Sequence, residues 1–116
     1  FGGTSPPQVK VTESWNGSSW TEVADLNAVG ASGGAGGTYT SALYYGGERP
    51  SYTGATESWN GSAWTEVADL ATARQSLSGA GTGSLGLAFA GTVGTPGMTN
   101  TEEWTLAHAF KKVTTE

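Results

Sequence analysis

Apolar and polar residues alternate in short runs along most of the chain, and no stripe at the 3.6-residue helical period lasts long enough to specify a helix. The clearest stretch starts at the Gly-rich segment Ala31 to Gly37, which predicts a first strand. It continues through an aromatic second strand, Thr40 to Gly46, that ends in the pair Gly46-Gly47. A polar loop, Glu48 to Gly54, leads to a third strand at Ala55 to Trp59. Asn60-Gly61 then turns the chain into a fourth, Ala63 to Leu70. Asn-Gly is a strong hairpin signal, because both residues tolerate the positive φ of a type I′ turn. The expected class is all-β, with four short antiparallel strands per unit.

That unit recurs. Thr12 to Leu26 reads TESWNGSSWTEVADL and Thr56 to Leu70 reads TESWNGSAWTEVADL, an offset of 44 residues with one difference, Ser19 against Ala63. The same offset joins Gly3, Gly47 and Gly91. Trp59 to Trp104 runs one residue longer, marking an insertion in the third copy. The organisation read from this is a partial repeat at 1–26, starting at the end of its second strand, a complete repeat at 27–70, and a third at 71–116 with a divergent tail from Thr105 to Glu116. Within the hairpin a two-residue connection would pair Trp59 with Ser62, and a four-residue one would pair it with Trp64. In both cases the two Trp share a face with Glu57 and Glu66, while Thr56, Ser58, Thr65 and Val67 take the other. A two-stranded ribbon bearing two Trp cannot stand alone in water, so neighbouring repeats must cover that surface.

Four antiparallel strands in about 44 residues is the period of a β-propeller blade, and a Gly-rich strand suits the crowded innermost position. The order of Tyr44-Tyr45-Gly46-Gly47, then Glu57-Ser58-Trp59-Asn60-Gly61, then Trp64 and an aliphatic strand end resembles the kelch repeat of β-propellers. It departs from the usual kelch pattern in the four-residue gap between the aromatic pair, in Trp for Tyr, and in Ala90 for the first Gly of the third copy. The nearly identical Ser/Thr/Gly-rich copies with Trp-Asn-Gly turns are also similar to kelch-like repeat proteins of bacterial and marine phages. This resemblance implies a virion or tail-fibre location, or another extracellular surface, reached without a signal peptide. At 116 residues the chain holds about 2.6 repeats, whereas propellers close with roughly 4 to 8 blades. Blades from a longer parent chain, of which this would be the C-terminal portion, or from further copies are therefore expected to complete the ring.

Composition narrows the chemistry. Nineteen Gly, 12 Ser and 17 Thr make up roughly two-fifths of the residues, an excess over ordinary usage that argues against a helical bundle. The net charge of −5 and the lack of a Lys/Arg stripe disfavour nucleic acid, and no apolar run approaches the roughly 20 residues of a membrane-spanning helix. With no Cys and a single His108, no thiol nucleophile, Ser-His-carboxylate triad or His cluster is expected, and no cofactor or metal. The copper radical oxidases among kelch propellers need Tyr, His and Cys ligands that this chain does not offer.

The paired carboxylates Glu13 with Glu22 and Glu57 with Glu66 recur with the repeat. They are read as packing beside Trp, capping backbone N–H groups or facing solvent, and Glu102-Glu103 as solvated. Gly79-Ala80-Gly81-Thr82-Gly83 lacks the Lys-Ser/Thr and helix of a phosphate loop and is read as inner-strand packing. Asn16-Gly17-Ser18 and Asn60-Gly61-Ser62 match the glycosylation sequon but are explained by turn geometry. Binding is expected on the loops that vary between copies and share one edge: Thr4 to Gln8, Glu48 to Gly54, Gly94 to Asn100, Asn27 to Gly30 and Ala71 to Gln75. The candidate contact residues there are Asn27, Arg49, Tyr52, Arg74 and Met98. The expected function is a non-enzymatic structural or adhesion module whose partners are other blades of the same or neighbouring chains and a surface protein or glycan. The alternative is a lectin in which Trp15, Trp20, Trp59, Trp64 and Trp104 stack on sugars between blades.

Overall fold

The computed structural model describes residues 1–4, 7–49, 51–94 and 97–105, and the backbone of 111–113. His108 and most of the divergent tail lie outside the described residues. The described chain is all-β: β1 (Thr12–Trp15), β2 (Trp20–Val23), β3 (Gly34–Thr38), β4 (Ser41–Tyr45), β5 (Thr56–Trp59), β6 (Trp64–Val67), β7 (Ser78–Gly81), β8 (Leu85–Phe89), β9 (Thr101–Thr105) and β10 (Lys111–Val113). They form three antiparallel sheets, β1-β2, β3-β4-β5-β6 and β7-β8-β9-β10, each strand paired with its sequence neighbour. One sheet therefore corresponds to each repeat.

Two local features follow from residue chemistry. In the hairpins Trp59 pairs with Trp64 and Trp15 with Trp20, so each connection has four residues. The type I′ turn expected from Asn-Gly is not used. Gly17 and Gly61 have φ near +98°, whereas neither Asn16 nor Asn60 is in the positive-φ region. Asn60 acts through its side chain instead: its Oδ1 accepts the backbone N–H groups of Ser62 (2.9 Å) and Ala63 (3.0 Å), and Asn16 does the same for Ser18 and Ser19.

The Gly-Gly pair after the second strand is the other. Gly46 (φ +67°) and Gly47 (φ +93°) bring the chain against the connection between sheets, where the Gly47 N–H donates to the Arg74 carbonyl at 2.7 Å. The first repeat copies this with Gly3 donating to Gly30, also at 2.7 Å. In the third repeat Ala90 adopts the Gly46 conformation at φ +60°, an unfavourable region for a residue with a Cβ.

The sheets stack face to face, and the middle sheet is covered on both sides. Its Leu43 and Tyr45 pack with Leu70, Leu77, Ala88 and Trp104 toward the third repeat. Its Ala42, Tyr44, Trp59 and Trp64 pack with Leu26 and Val23 toward the first. Small residues set the closest approach, between β3 and β7: a Cβ on Gly79 would fall on the Tyr45 hydroxyl, and one on Gly36 would lie 3.3 Å from the Gly81 carbonyl oxygen. The fourth strand ends at Val67 rather than running to Leu70. Leu70 turns inward and its N–H donates to the Gly54 carbonyl at 2.8 Å.

Two predictions follow from these contacts. A Cβ at Gly47 would lie 2.4 Å from the Ala31 carbonyl oxygen in addition to its left-handed φ, whereas a Cβ at Gly17 meets nothing within 4 Å. Gly47→Ala is expected to cost more than about 2 kcal/mol and Gly17→Ala about 1 kcal/mol, measured by denaturant unfolding. Burial also pushes the Tyr45 phenol up to about 12 from its ordinary 10.0, while its O–H donates to the Leu87 carbonyl at 3.0 Å. The folded state thus holds the proton more tightly than the unfolded state, so stability is intact below pH 10 and falls as pH rises from 10 to 12. Tyrosinate absorbance at 295 nm, followed together with circular dichroism, should show Tyr45 ionising with loss of structure.

Candidate functional site

The groups capable of specific chemistry gather where one repeat hands the chain to the next. Glu57, on β5, is 1% exposed although it bears a carboxylate. Its Oε1 accepts the Asn27 backbone N–H at 2.7 Å and the Asn27 side-chain amide at 2.9 Å, and its Oε2 accepts Arg49 Nη1 at 2.8 Å. The Asn27 amide also donates to the Trp64 carbonyl at 3.0 Å, tying the connection after the first repeat to the middle sheet. The Arg49 guanidinium lies over the Tyr44 ring, 5.2 Å from its centroid. Burial pushes the Tyr44 phenol above its ordinary value, with the Arg49 charge acting in the opposite direction.

The arrangement recurs at the next junction with a different cation. Glu102, on β9, is buried, which corrects the expectation that it is solvated; its neighbour Glu103 is exposed. Glu102 Oε1 accepts the Ala71 N–H at 2.6 Å and Oε2 accepts Arg74 Nη2 at 2.8 Å. Arg74 Nη1 donates to the Ala90 and Asn100 carbonyls at 3.0 and 2.9 Å. Arg49 comes from the loop after the second strand, whereas Arg74 comes from the connection between repeats, at the position that Gly30 occupies one repeat earlier. A Cβ at Gly30 would lie 3.1 Å from Arg49 Nε, so the absence of a side chain there makes room for the arginine that reaches in from position 49. The repeat register contained the signal that was missed: Trp59 and Trp104 correspond with a one-residue shift, which places Glu102, not Glu103, at the Glu57 position.

The loop-edge candidates therefore divide. Arg74 is fully buried and the Arg49 side chain is 9% exposed; both turn inward to buried carboxylates, a correction to the expectation that they face a partner. The physical reason is that each carboxylate is already enclosed by protein and would be destabilised without its cation. Asn27 stays exposed, though its amide is held by Glu57 and Trp64. Tyr52 is exposed and Met98 half-buried, its N–H donating to the Gly91 carbonyl at 2.8 Å.

The Trp residues divide too. Trp59, Trp64 and Trp104 are buried between sheets and cannot stack on a sugar in this arrangement. Their indole N–H groups donate to the Tyr39 carbonyl (3.0 Å), the Thr12 hydroxyl (3.0 Å) and the Gly83 carbonyl (3.3 Å). Trp15 and Trp20 are 46% and 63% exposed, their ring centroids 5.4 Å apart. Beside them a cavity of about 380 Å³ is lined by Phe1, Ala35, Tyr39, Ala42 and Trp59 among others. Among the described residues no group of three His, Asp or Glu side chains is placed to hold a metal ion.

Removing one partner of a buried pair leaves the other charge uncompensated. Glu102→Ala and Arg74→Met are each expected to cost about 3–5 kcal/mol, while the double variant costs less than the sum, read as a coupling energy in a double-mutant unfolding cycle. In comparisons with known proteins, no family model and no curated protein sequence matches the chain.

Proposed function

We propose that the chain is a non-enzymatic structural module of kelch-type blade units, whose repeats stack rigidly and hold variable loops on one edge for contact with a surface protein or glycan. The observation that carries this reading is the repeated Glu junction. At both sheet-to-sheet interfaces a buried carboxylate accepts a backbone N–H of the incoming connection with one oxygen and an arginine with the other, the arginine coming from a different loop at each. A carboxylate pairing that recurs from one junction to the next fits a structural role, because a catalytic constellation is needed only once. The four-strand sheets, the 44-residue period and the Gly-rich first strands support the blade assignment. The similarity of the copies to phage repeat proteins supports a virion or another extracellular surface as the location.

A second reading is favoured by one observation, the exposed Trp15–Trp20 pair beside an apolar cavity, which suits stacking against a sugar ring. A glycan array separates the two. The structural reading expects no sugar binding that depends on Trp15 and Trp20, any glycan contact being made through the loops. Saturable binding to one sugar class, lost in a Trp20→Ala variant with unchanged thermal unfolding, would replace it with the lectin reading.

A further inference from the structure

The hairpin turns hold a reactive pair of residues in the open. Asn60 and Gly61 are exposed although a repeat packs on either side of the middle sheet, so their exposure belongs to the turn itself. The Asn60 side chain folds forward over the turn, its Oδ1 accepting the N–H groups of Ser62 at 2.9 Å and Ala63 at 3.0 Å. The N–H of Gly61 has no hydrogen-bond partner among the described residues. Gly61 takes φ +97° and carries no Cβ to shield its nitrogen. Asn16 and Gly17 repeat the arrangement: the Ser18 and Ser19 N–H groups lie 2.8 and 2.9 Å from Asn16 Oδ1, and Gly17 has φ +99°.

These are the parts of an acyl transfer in which the chain attacks itself. The Gly61 nitrogen follows Asn60 directly and closes an imide ring when it bonds to Cγ, so the attack is intramolecular and favoured by proximity. Negative charge then develops on Oδ1. Two N–H donors already point at that oxygen, inside the roughly 2.7–3.1 Å window in which such donors stabilise an oxyanion.

We infer that Asn60-Gly61 and its copy Asn16-Gly17 are sites of spontaneous conversion of asparagine to isoaspartate, promoted by the folded turn. The Gly61 nitrogen loses its proton to solvent and bonds to Cγ, while the Cγ–Nδ2 bond breaks and the amide nitrogen takes up a proton and leaves as ammonia. Water then opens the succinimide, its hydroxyl going to the carbonyl carbon attacked and its proton to the Gly61 nitrogen. Opening at Cγ gives aspartate, and opening at the main-chain carbonyl gives isoaspartate, with the chain running through Cγ. Water is the only co-reactant. An aspartate keeps an oxygen for the two N–H groups, whereas isoaspartate lengthens the main chain and draws the side-chain carboxylate back onto Cα. Trp59 and Trp64 flank the turn, pair across it and pack against Val23 and Leu26 of the first repeat, so isoaspartate at position 60 loosens that junction.

The test is incubation of the chain in mildly alkaline buffer, folded and in guanidinium chloride. Cleavage after Glu13, Glu22, Glu57 and Glu66 releases each turn in its own peptide, the two told apart by Ser19 and Ala63. Isoaspartate in each is read by mass and by labelling with an isoaspartyl methyltransferase. It is expected to form at positions 16 and 60 about tenfold faster in the folded chain than in the unfolded one. Ser62→Pro removes one N–H from the Asn60 oxygen and should slow position 60 alone, with Asn16 in the same chain as the reference and circular dichroism checking the fold. Should that variant fail to fold, the ratio of folded to unfolded rates in the wild-type chain decides by itself. Equal or slower conversion in the folded chain overturns the inference, as does a folded Ser62→Pro variant that converts at the wild-type rate.

Discussion

The structure depends on a buried carboxylate at each junction between repeats. Glu57 and Glu102 each bind a backbone N–H of the incoming connection with one oxygen and an arginine with the other. Each carboxylate thus fixes the point where the chain leaves one sheet and enters the next, and the Trp-bearing face of the later repeat falls into register on the facing sheet around it. Taking such a charge out of water is costly, and each carboxylate is made tolerable by an arginine and a backbone N–H on its two oxygens. The contribution of these groups is therefore less to net stability than to selecting one arrangement of sheet on sheet among the several that apolar packing alone would permit.

The arginine can arrive from either of two places in the chain, which says what the junction requires. A guanidinium must reach the carboxylate, but the backbone position that carries it is free, provided that the other position leaves room. Gly30 supplies that room beside Arg49. At the second junction Arg74 fills the corresponding site and also ties down the Ala90 and Asn100 carbonyls. Two loops that differ in sequence thus perform one structural task, and variation between copies is in this case compensation rather than recognition.

The Gly-rich strands play a matching role where β3 and β7 approach each other. At β3 and β7 the limiting factor is space: any side chain on Gly79 would displace the Tyr45 hydroxyl, which donates to the Leu87 carbonyl and joins the middle sheet to the third. Small residues therefore allow the large aromatic ones to cross between sheets. The abundance of Gly and the presence of buried Tyr and Trp are two sides of one packing solution.

Much of this was determined by the sequence alone. The 44-residue repeat, the four strands per unit and the sharing of a face by Glu57, Trp59, Trp64 and Glu66 all follow from local patterning and the alternation of side chains along a strand. Others were decided only in three dimensions. Asn60 turns the chain through its side-chain oxygen and not through a left-handed backbone, because a four-residue connection leaves two N–H groups for it to satisfy. Arg49 and Arg74 look like surface residues in polar loops, yet both are drawn inward by carboxylates that lie 8 and 28 residues further along the chain. Trp15 and Trp59 sit in identical TESWNG segments, yet one is exposed and the other buried. Local sequence sets what a strand presents on each face, but only the neighbouring repeat determines whether that face meets protein or water.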